Sequence, residues 1–143
     1  MLRTVLLRHE TTDGGVHYDW LLERQPGEER TTTFRIAFDL STSNRPQPFH
    51  AEQLTDHRRL YLDFEGPIPG GRGLVSRAAN GDCEWLDALH DTLRVRVRFR
   101  PTGRSSRGGA EWMELLGRPE SGELGQPLQF RAGAGARWIF EPA

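Results

Sequence analysis

The sequence predicts an all-β fold: a small closed antiparallel β-barrel, β-rich with one or two short helices. Three observations carry this. Most segments alternate apolar and polar residues with a period of two, the mark of strands that bury one face. The 143 residues include 16 glycines and 9 prolines, which favours many short elements joined by turns. Helical periodicity is scarce, so the strands must close on each other rather than shelter under helices.

The elements follow in chain order. Leu2–Arg8 and His17–Glu23 are strands, separated by the Asp13-Gly14-Gly15 turn. Phe34, Ile36, Phe38 and Leu40 fall on one side of a strand, opposite Arg35, Ala37 and Asp39. Ser41–Pro48 is polar and proline-punctuated, hence loosely structured, and His50–Leu54 has the length of one helical turn. Leu60–Phe64, Leu74–Ala78 and Cys83–Leu86 read as strands, with Asn80-Gly81 as a hairpin turn between the last two. Glu84–Asp91 offers two helical turns as an alternative. Leu93, Val95, Val97 and Phe99 alternate with Arg94, Arg96, Arg98 and Arg100. Pro101–Gly109 is a glycine- and serine-rich surface loop; Glu111–Leu116, Leu128–Arg131 and Arg137–Phe140 are the closing strands. No repeat or boundary divides the chain, so one domain over 1–143 is expected.

Charge narrows the function. Twenty acidic residues meet 19 basic ones for a net charge of −1, which disfavours bulk electrostatic binding of nucleic acid. Any phosphate contact must come from a local cluster. Every one of the 19 basic residues is an arginine, a planar fork suited to phosphate or carboxylate. Cys83 is the sole cysteine, which fits a reducing compartment, and a cytoplasmic location is expected. Val5-Leu6-Leu7 runs straight into Arg8 and His9, too short for a signal h-region, and no stretch approaches the roughly 18 apolar residues of a membrane span.

Two segments carry chemistry. His9 ends the first strand, and His17 and Asp19 share one face of the second. Two imidazoles and a carboxylate form a ligand set for Mn²⁺, Zn²⁺ or Fe²⁺, and the loop between them lets the chain fold back. The competing reading makes both histidines ordinary surface residues. In the second segment His57 and Tyr61 fall on one face if the chain is extended, where they would hold a phosphate or protonate a leaving group. Its competitor is a strand entering a Gly/Pro turn with a half-buried tyrosine.

Together these segments resemble the 3′-phosphoesterase domain found at the N-terminus of bacterial DNA ligase D and as a stand-alone protein. That family shows a histidine, a loop, H-Y-D, a leucine-glutamate pair, then D-H, a tyrosine and F-E-G-x-I-P-x-G. Here stand His9, His17-Tyr18-Asp19, Leu22-Glu23, Asp56-His57, Tyr61 and Phe64-Glu65-Gly66-Pro67-Ile68-Pro69-Gly70. Asn80-Gly81 and Glu84 would continue the match, and Trp138-Ile139-Phe140 resembles the closing strand. The strong match covers residues 1–23 and 55–85.

The resemblance implies a β-barrel that removes a 3′-phosphate or 3′-ribonucleotide from DNA or RNA ends in repair. It implies a divalent metal on His9, His17 and Asp19, with manganese expected and zinc or another transition metal as the alternative. His57 and Tyr61 would engage the phosphate. The implied partners are nucleic-acid ends and separately encoded ligase or polymerase repair proteins, with no membrane. Three departures stand out. Leu21 occupies the place of a phosphate-binding arginine, the loop between the histidines is longer, and a P-K-G segment is missing where Ser41–Pro48 lies. Arg45, Arg58, Arg72 or Arg77 would have to resupply the charge; Arg72 and Arg58 are the phosphate-binding candidates, with Arg72 preferred for its place beside the matched motif. Leu21 also opens the alternative of a catalytically impaired module that binds metal or nucleic-acid ends without turnover.

The remaining features have plainer expectations. The row Arg94, Arg96, Arg98 and Arg100 either tracks a phosphate backbone or is a solvated face paired with acids on the next strand. Trp20, Trp85, Trp112 and Trp138 are expected in the core, Cys83 packed, and His50 and His90 at the surface.

Overall fold

A computed structural model describes residues 1–42, 47–88, 92–101, 111–120 and 135–143. The strands are β1 (Leu2–Glu10), β2 (Val16–Leu22), β3 (Arg30–Ile36), β4 (Phe49–Gln53), β5 (His57–Arg58), β6 (Gly66–Pro67), β7 (Leu74–Ala88), β8 (Leu93–Pro101), β9 (Met113–Pro119) and β10 (Ala136–Pro142). Eight of them close an antiparallel barrel in the order β1-β2-β3-β4-β10-β9-β8-β7, with β7 returning to β1. The short β5 hangs on β3 and β6 on β7. Among the described residues, no helix is long and apolar enough to cross a membrane.

Side-chain alternation gives the first strands two working faces. Leu6, Trp20, Phe34 and Ile36 point into the barrel with Trp138 and Phe140, all buried. Trp20, Phe34, Trp138 and Phe140 interlock at ring-centroid distances of 5.1 to 6.0 Å. Truncating any one of them would cost about 3–5 kcal/mol. The indole N–H groups are satisfied: Trp20 donates to Thr4 Oγ1 at 2.9 Å and Trp138 to Gln53 Oε1 at 3.2 Å. The alternate residues Val5, Leu7 and Leu21 form a second apolar cluster with Leu62 and Val75, flanked by Tyr61, Phe64 and Ile68. The segment that joins β4 to β7 therefore lies over the outside of β1 and β2, and the matched motifs meet there.

Several sequence expectations are corrected. Leu74–Ala78 and Cys83–Leu86 are one strand, β7, and Asn80-Gly81 lies inside it instead of turning. Gly81 pairs with both Thr4 and Phe99, and a Cβ there would stand 2.1 Å from the Arg98 carbonyl oxygen. This glycine serves close strand approach, which a dipeptide turn rule cannot distinguish from a hairpin. Bulges at Ala78 and Leu86, each skipped in the pairing, let so long a strand curve around the barrel. The helical alternative for Glu84–Asp91 fails over Glu84–Ala88, which continue β7; residues 89–91, including His90, lie outside the described residues. His50 falls in strand β4, not a helical turn. Leu60 belongs to a 3-10 turn, Arg59–Leu62, and Leu40 to another at Leu40–Thr42, so the strand from Phe34 stops at Ile36. The expected strand at Leu128–Arg131 and most of the 101–109 loop also fall outside the described residues.

The arginine row on β8 is neutralised at its middle, Arg96 and Arg98. Arg96 pairs with Glu84 at 2.6 Å and Arg98 with Asp82 at 2.7 Å, both acids being cross-strand neighbours on β7. Arg96 and Arg98 also lie over the Trp112 ring, 4.5 and 4.6 Å from its centroid. Cys83 is buried, and burial first, then Glu23 and Asp82, push its thiol up to about 12. It is packed and unreactive.

Candidate metal and phosphate site

The β1–β2 hairpin sets His9 directly opposite His17 in the ladder. Thr11 N–H donates to the Gly15 carbonyl at 2.8 Å, the Asp13 carboxylate accepts from Gly15 N–H at 3.1 Å, and Gly14 takes a left-handed φ of 88°. These bonds close the longer loop without displacing the register. His9 Nδ1 and His17 Nε2 are 2.8 Å apart, and His17 Nε2 is 3.7 Å from Asp19 Oδ1. One ligand atom from each of the three residues lies within 4.8 Å of the others.

The donor chemistry fits a divalent ion. His9 Nε2 is 2.8 Å from the Arg72 carbonyl oxygen, which can only accept, so that nitrogen carries the proton. Nδ1 then faces His17 Nε2 at 2.8 Å, a contact that needs one proton between the two nitrogens and whose place a cation would take. The Arg72 carbonyl is the kind of outer-shell partner that orients a metal-binding imidazole. Burial pulls the His17 proton affinity down, against the pull of Asp19 and with help from Arg35 and His9, so His17 stays neutral at neutral pH. Burial alone would raise the Asp19 carboxyl; His57, Arg35 and His17 outweigh it and hold it below the usual range. Asp19 is 5% exposed, and an ionised carboxylate so enclosed needs cations around it. Two imidazoles and a carboxylate thus form a donor set that suits Mn²⁺ or Zn²⁺ alike.

Around this cluster a cavity of about 670 Å³ is lined by His9, Asp19, His57 and Tyr61 together with Arg30, Arg35, Arg58 and Arg72. His57 Nε2 stands 3.7 Å from Asp19 Oδ2, and its Nδ1 is 3.1 Å from the Thr55 carbonyl, which fixes the proton on Nδ1. The His57 and Tyr61 rings are 5.5 Å apart. They meet, but not on an extended strand: His57 is in β5 and Tyr61 in the 3-10 turn, whose tightness brings the two rings together. That turn is pinned from below. Arg59 pairs with the buried Glu23 carboxylate, Arg3 Nη2 donates to Asp63 Oδ1 at 2.9 Å, and Leu62 is fully buried against the outer cluster. Glu23 also accepts Arg3 N–H at 2.7 Å. Burial raises its carboxyl, but these two donors outweigh that and leave it below its ordinary value.

The cationic residues fall into place differently from expectation. Arg72 and Arg58 do line the cavity. Arg72 Nε donates to the Pro69 carbonyl at 2.9 Å, leaving the outer part of its fork available. Arg77 does not line the cavity, and Arg45 lies outside the described residues. Arg35, unanticipated, is the cross-strand partner of Asp19, with Nε 3.5 Å from Asp19 Oδ1. Its alternation with Phe34 and Ile36 already placed it on the outer face; the missing fact was that the outer face is the functional one. Leu21 shares the outer face with Asp19 but is fully buried in the apolar cluster beneath Leu62. An arginine there would lose its hydration, so the charge has to come from a neighbouring strand. Neither a protein-family model nor a curated protein matches the chain in sequence.

Proposed function

We propose that the chain is a metal-dependent phosphoesterase acting on the 3′ ends of nucleic acid. The observation that supports it is a two-histidine, one-carboxylate cluster, two of whose members, His9 and Asp19, line one cavity with an imidazole, a phenol and several guanidinium groups. An ion held by His9, His17 and Asp19 would give this cavity its electrophile, the arginines its affinity for phosphate, and His57 with Tyr61 its proton chemistry.

His9, His17 and Asp19 would hold the ion, manganese being the choice the family resemblance favours; bound there, it supplies Lewis acidity toward a phosphoryl oxygen. The Arg35 and Arg72 forks bind and orient the remaining phosphoryl oxygens. Tyr61 donates a phenolic hydrogen bond to the oxygen on which charge builds. Water attacks phosphorus, the bond from phosphorus to the 3′-oxygen breaks, and the proton the water sheds restores the one His57 gives up, while Tyr61 keeps its own proton and only hydrogen-bonds. The protonated form of His57 gives its Nε2 proton to that leaving oxygen, while Thr55 keeps Nδ1 fixed. The products are a 3′-hydroxyl end and free phosphate, or a released nucleotide when a terminal ribonucleotide is removed.

The test is phosphate release from a 3′-phosphorylated oligonucleotide with Mn²⁺, with Zn²⁺ and with chelator. Turnover that requires the ion and disappears in Asp19→Asn supports the reading. Buried Leu21 favours one competitor, an end-binding module without catalysis. Retention of manganese and of the oligonucleotide with no release of phosphate would establish that competitor instead.

A further inference from the structure

The cavity shares a wall with a shallower hollow of about 260 Å³ lined by Glu29, Arg30, Arg58, Arg59 and Leu60. Arg30 and Arg58 line both. They are also direct partners on the β3–β5 ladder, and both are exposed. Like charges placed opposite each other across a ladder repel and destabilise the pairing. On β8 the fold relieves its arginines with carboxylates. Here the relief is weaker: among the described residues Arg58 makes no ion pair, and Arg30 donates to the Asp56 backbone carbonyl at 3.3 Å, with the half-buried Asp56 carboxylate only near enough to feel its charge. The neighbouring Arg59, by contrast, is taken up by Glu23.

The other way out of the cavity has a different character. Past His17 and Arg35 lies a hollow of about 280 Å³ that contains Glu52 and Glu120. Arg35 borders both spaces, but beyond it the charges are matched: Glu120 pairs with His50 at 2.9 Å, and Glu52 faces Arg35 and Arg137 across the ladders. A chain of phosphates leaving the site meets two facing arginines, with Glu29 the one carboxylate among the described residues lining that hollow, in one direction and matched charges in the other.

We infer that Arg30 and Arg58 form a second phosphate seat, one that takes an internal phosphodiester of a single polynucleotide strand whose terminal phosphate fills the cavity. This rests on the phosphoesterase reading for the occupant of the cavity itself. The anion settles between two guanidinium groups that otherwise repel, so binding relieves a cost already present in the free protein. The strand leaves over β5, away from the Glu52 and Glu120 hollow, and the protein prefers a polynucleotide end to a mononucleotide.

The experiment uses fluorescence anisotropy of the manganese-loaded chain with a labelled, 3′-phosphorylated single strand over a salt series. A nucleoside 3′-monophosphate serves as competitor. The Arg30→Gln/Arg58→Gln variant is expected to bind the strand about ten- to a hundredfold more weakly, with a log–log salt slope shallower by about two. Its preference for the strand over the mononucleotide shrinks by about tenfold. Arg58→Gln alone touches no described partner and flattens the slope by about one, which keeps the test open if the double variant folds poorly. Arg137→Gln, in the opposite hollow, leaves strand binding unchanged. The inference is overturned if the salt slope survives both arginine variants, if Arg137→Gln weakens binding as much, or if the wild-type chain binds no strand. Weakened strand binding in the arginine variants alongside a wild type that releases no phosphate upholds the seat and sinks the phosphoesterase reading.

Discussion

Two faces of this barrel are rich in arginine, and they are built in opposite ways. On β8, Arg96 and Arg98 face Glu84 and Asp82 across the ladder and stack on Trp112. Around the cavity, Arg30 faces Arg58 across a ladder, while Arg35 faces an aspartate that also belongs to the His9-His17-Asp19 group, which could hold a metal ion. The first face completes its own electrostatics. The second sets two arginines against each other at Arg30 and Arg58, the charge that the proposed strand would neutralise. Counting arginines cannot separate the two; the identity of the cross-strand partner does.

The contrast breaks most sharply at His57. His57→Ala is expected to lower kcat on a 3′-phosphorylated oligonucleotide by about 10²–10⁴, the usual scale for losing a positioned acid. Calorimetric Mn²⁺ affinity should stay within a fewfold, because His57 contacts Asp19 without belonging to the ligand set. Equal turnover in wild type and variant would remove proton transfer from this side of the barrel.

Gly73 tests how the metal cluster is held. Its φ of 109° is one that L side chains rarely adopt, and a Cβ there would lie 2.1 Å from the Glu10 carbonyl oxygen and 3.1 Å from His9 Nε2. Gly73→Ala must therefore push the 72–73 backbone away from His9 and weaken the bond that fixes its tautomer. The expected result is a loss of about 10- to 100-fold in Mn²⁺ affinity, the scale for disturbing an outer-shell partner. Titration of the metal, with circular dichroism to confirm the barrel, reads it directly; unchanged affinity would show that the Arg72 carbonyl does not orient His9.

Acid stability probes the support beneath the 3-10 turn. The Glu23 carboxyl is lowered in the fold by its Arg59 and Arg3 donors, so it binds a proton more readily unfolded than folded. The ion pair's contribution is complete above the ordinary glutamate range, near pH 4.5, and is lost as pH falls through the lower folded value. Glu23→Gln should lower the melting temperature at pH 7 and flatten its decline below about pH 5, where wild type loses the same interaction. A parallel pH profile in the two proteins would mean that other carboxylates carry the acid response.

The barrel was legible in the sequence because strands that bury one face leave a period-two record, as β8 and β10 do, although β1, β2 and β3 bury both faces over part of their length. The length of β7 was not, because Asn-Gly signals a hairpin and also suits two strands that nearly touch; only the position of the Arg98 carbonyl decides between them. His9, His17, Asp19, His57 and Tyr61 were legible as residue types at a spacing. Their meeting on the barrel's outer wall was not, since that depends on the segment after β4 folding back over Val5, Leu7 and Leu21. Arg35 was hidden for the same reason: alternation identified its face, and nothing local identified what would cover that face.

The smallest expected effect lies on the neutralised side. Arg98→Ala removes a pair with Asp82 and half of the stack on Trp112. Partly exposed ion pairs of this kind contribute about 0–1 kcal/mol, and the cation–π contact adds about 0.5–1 kcal/mol at an exposed site. A small drop in melting temperature is therefore expected, with no change in the salt slope for strand binding or in phosphate release. A shallower slope in Arg98→Ala would mean that β8 also meets phosphate despite its carboxylates. Cross-strand neutralisation would then fail as the rule that separates the two faces.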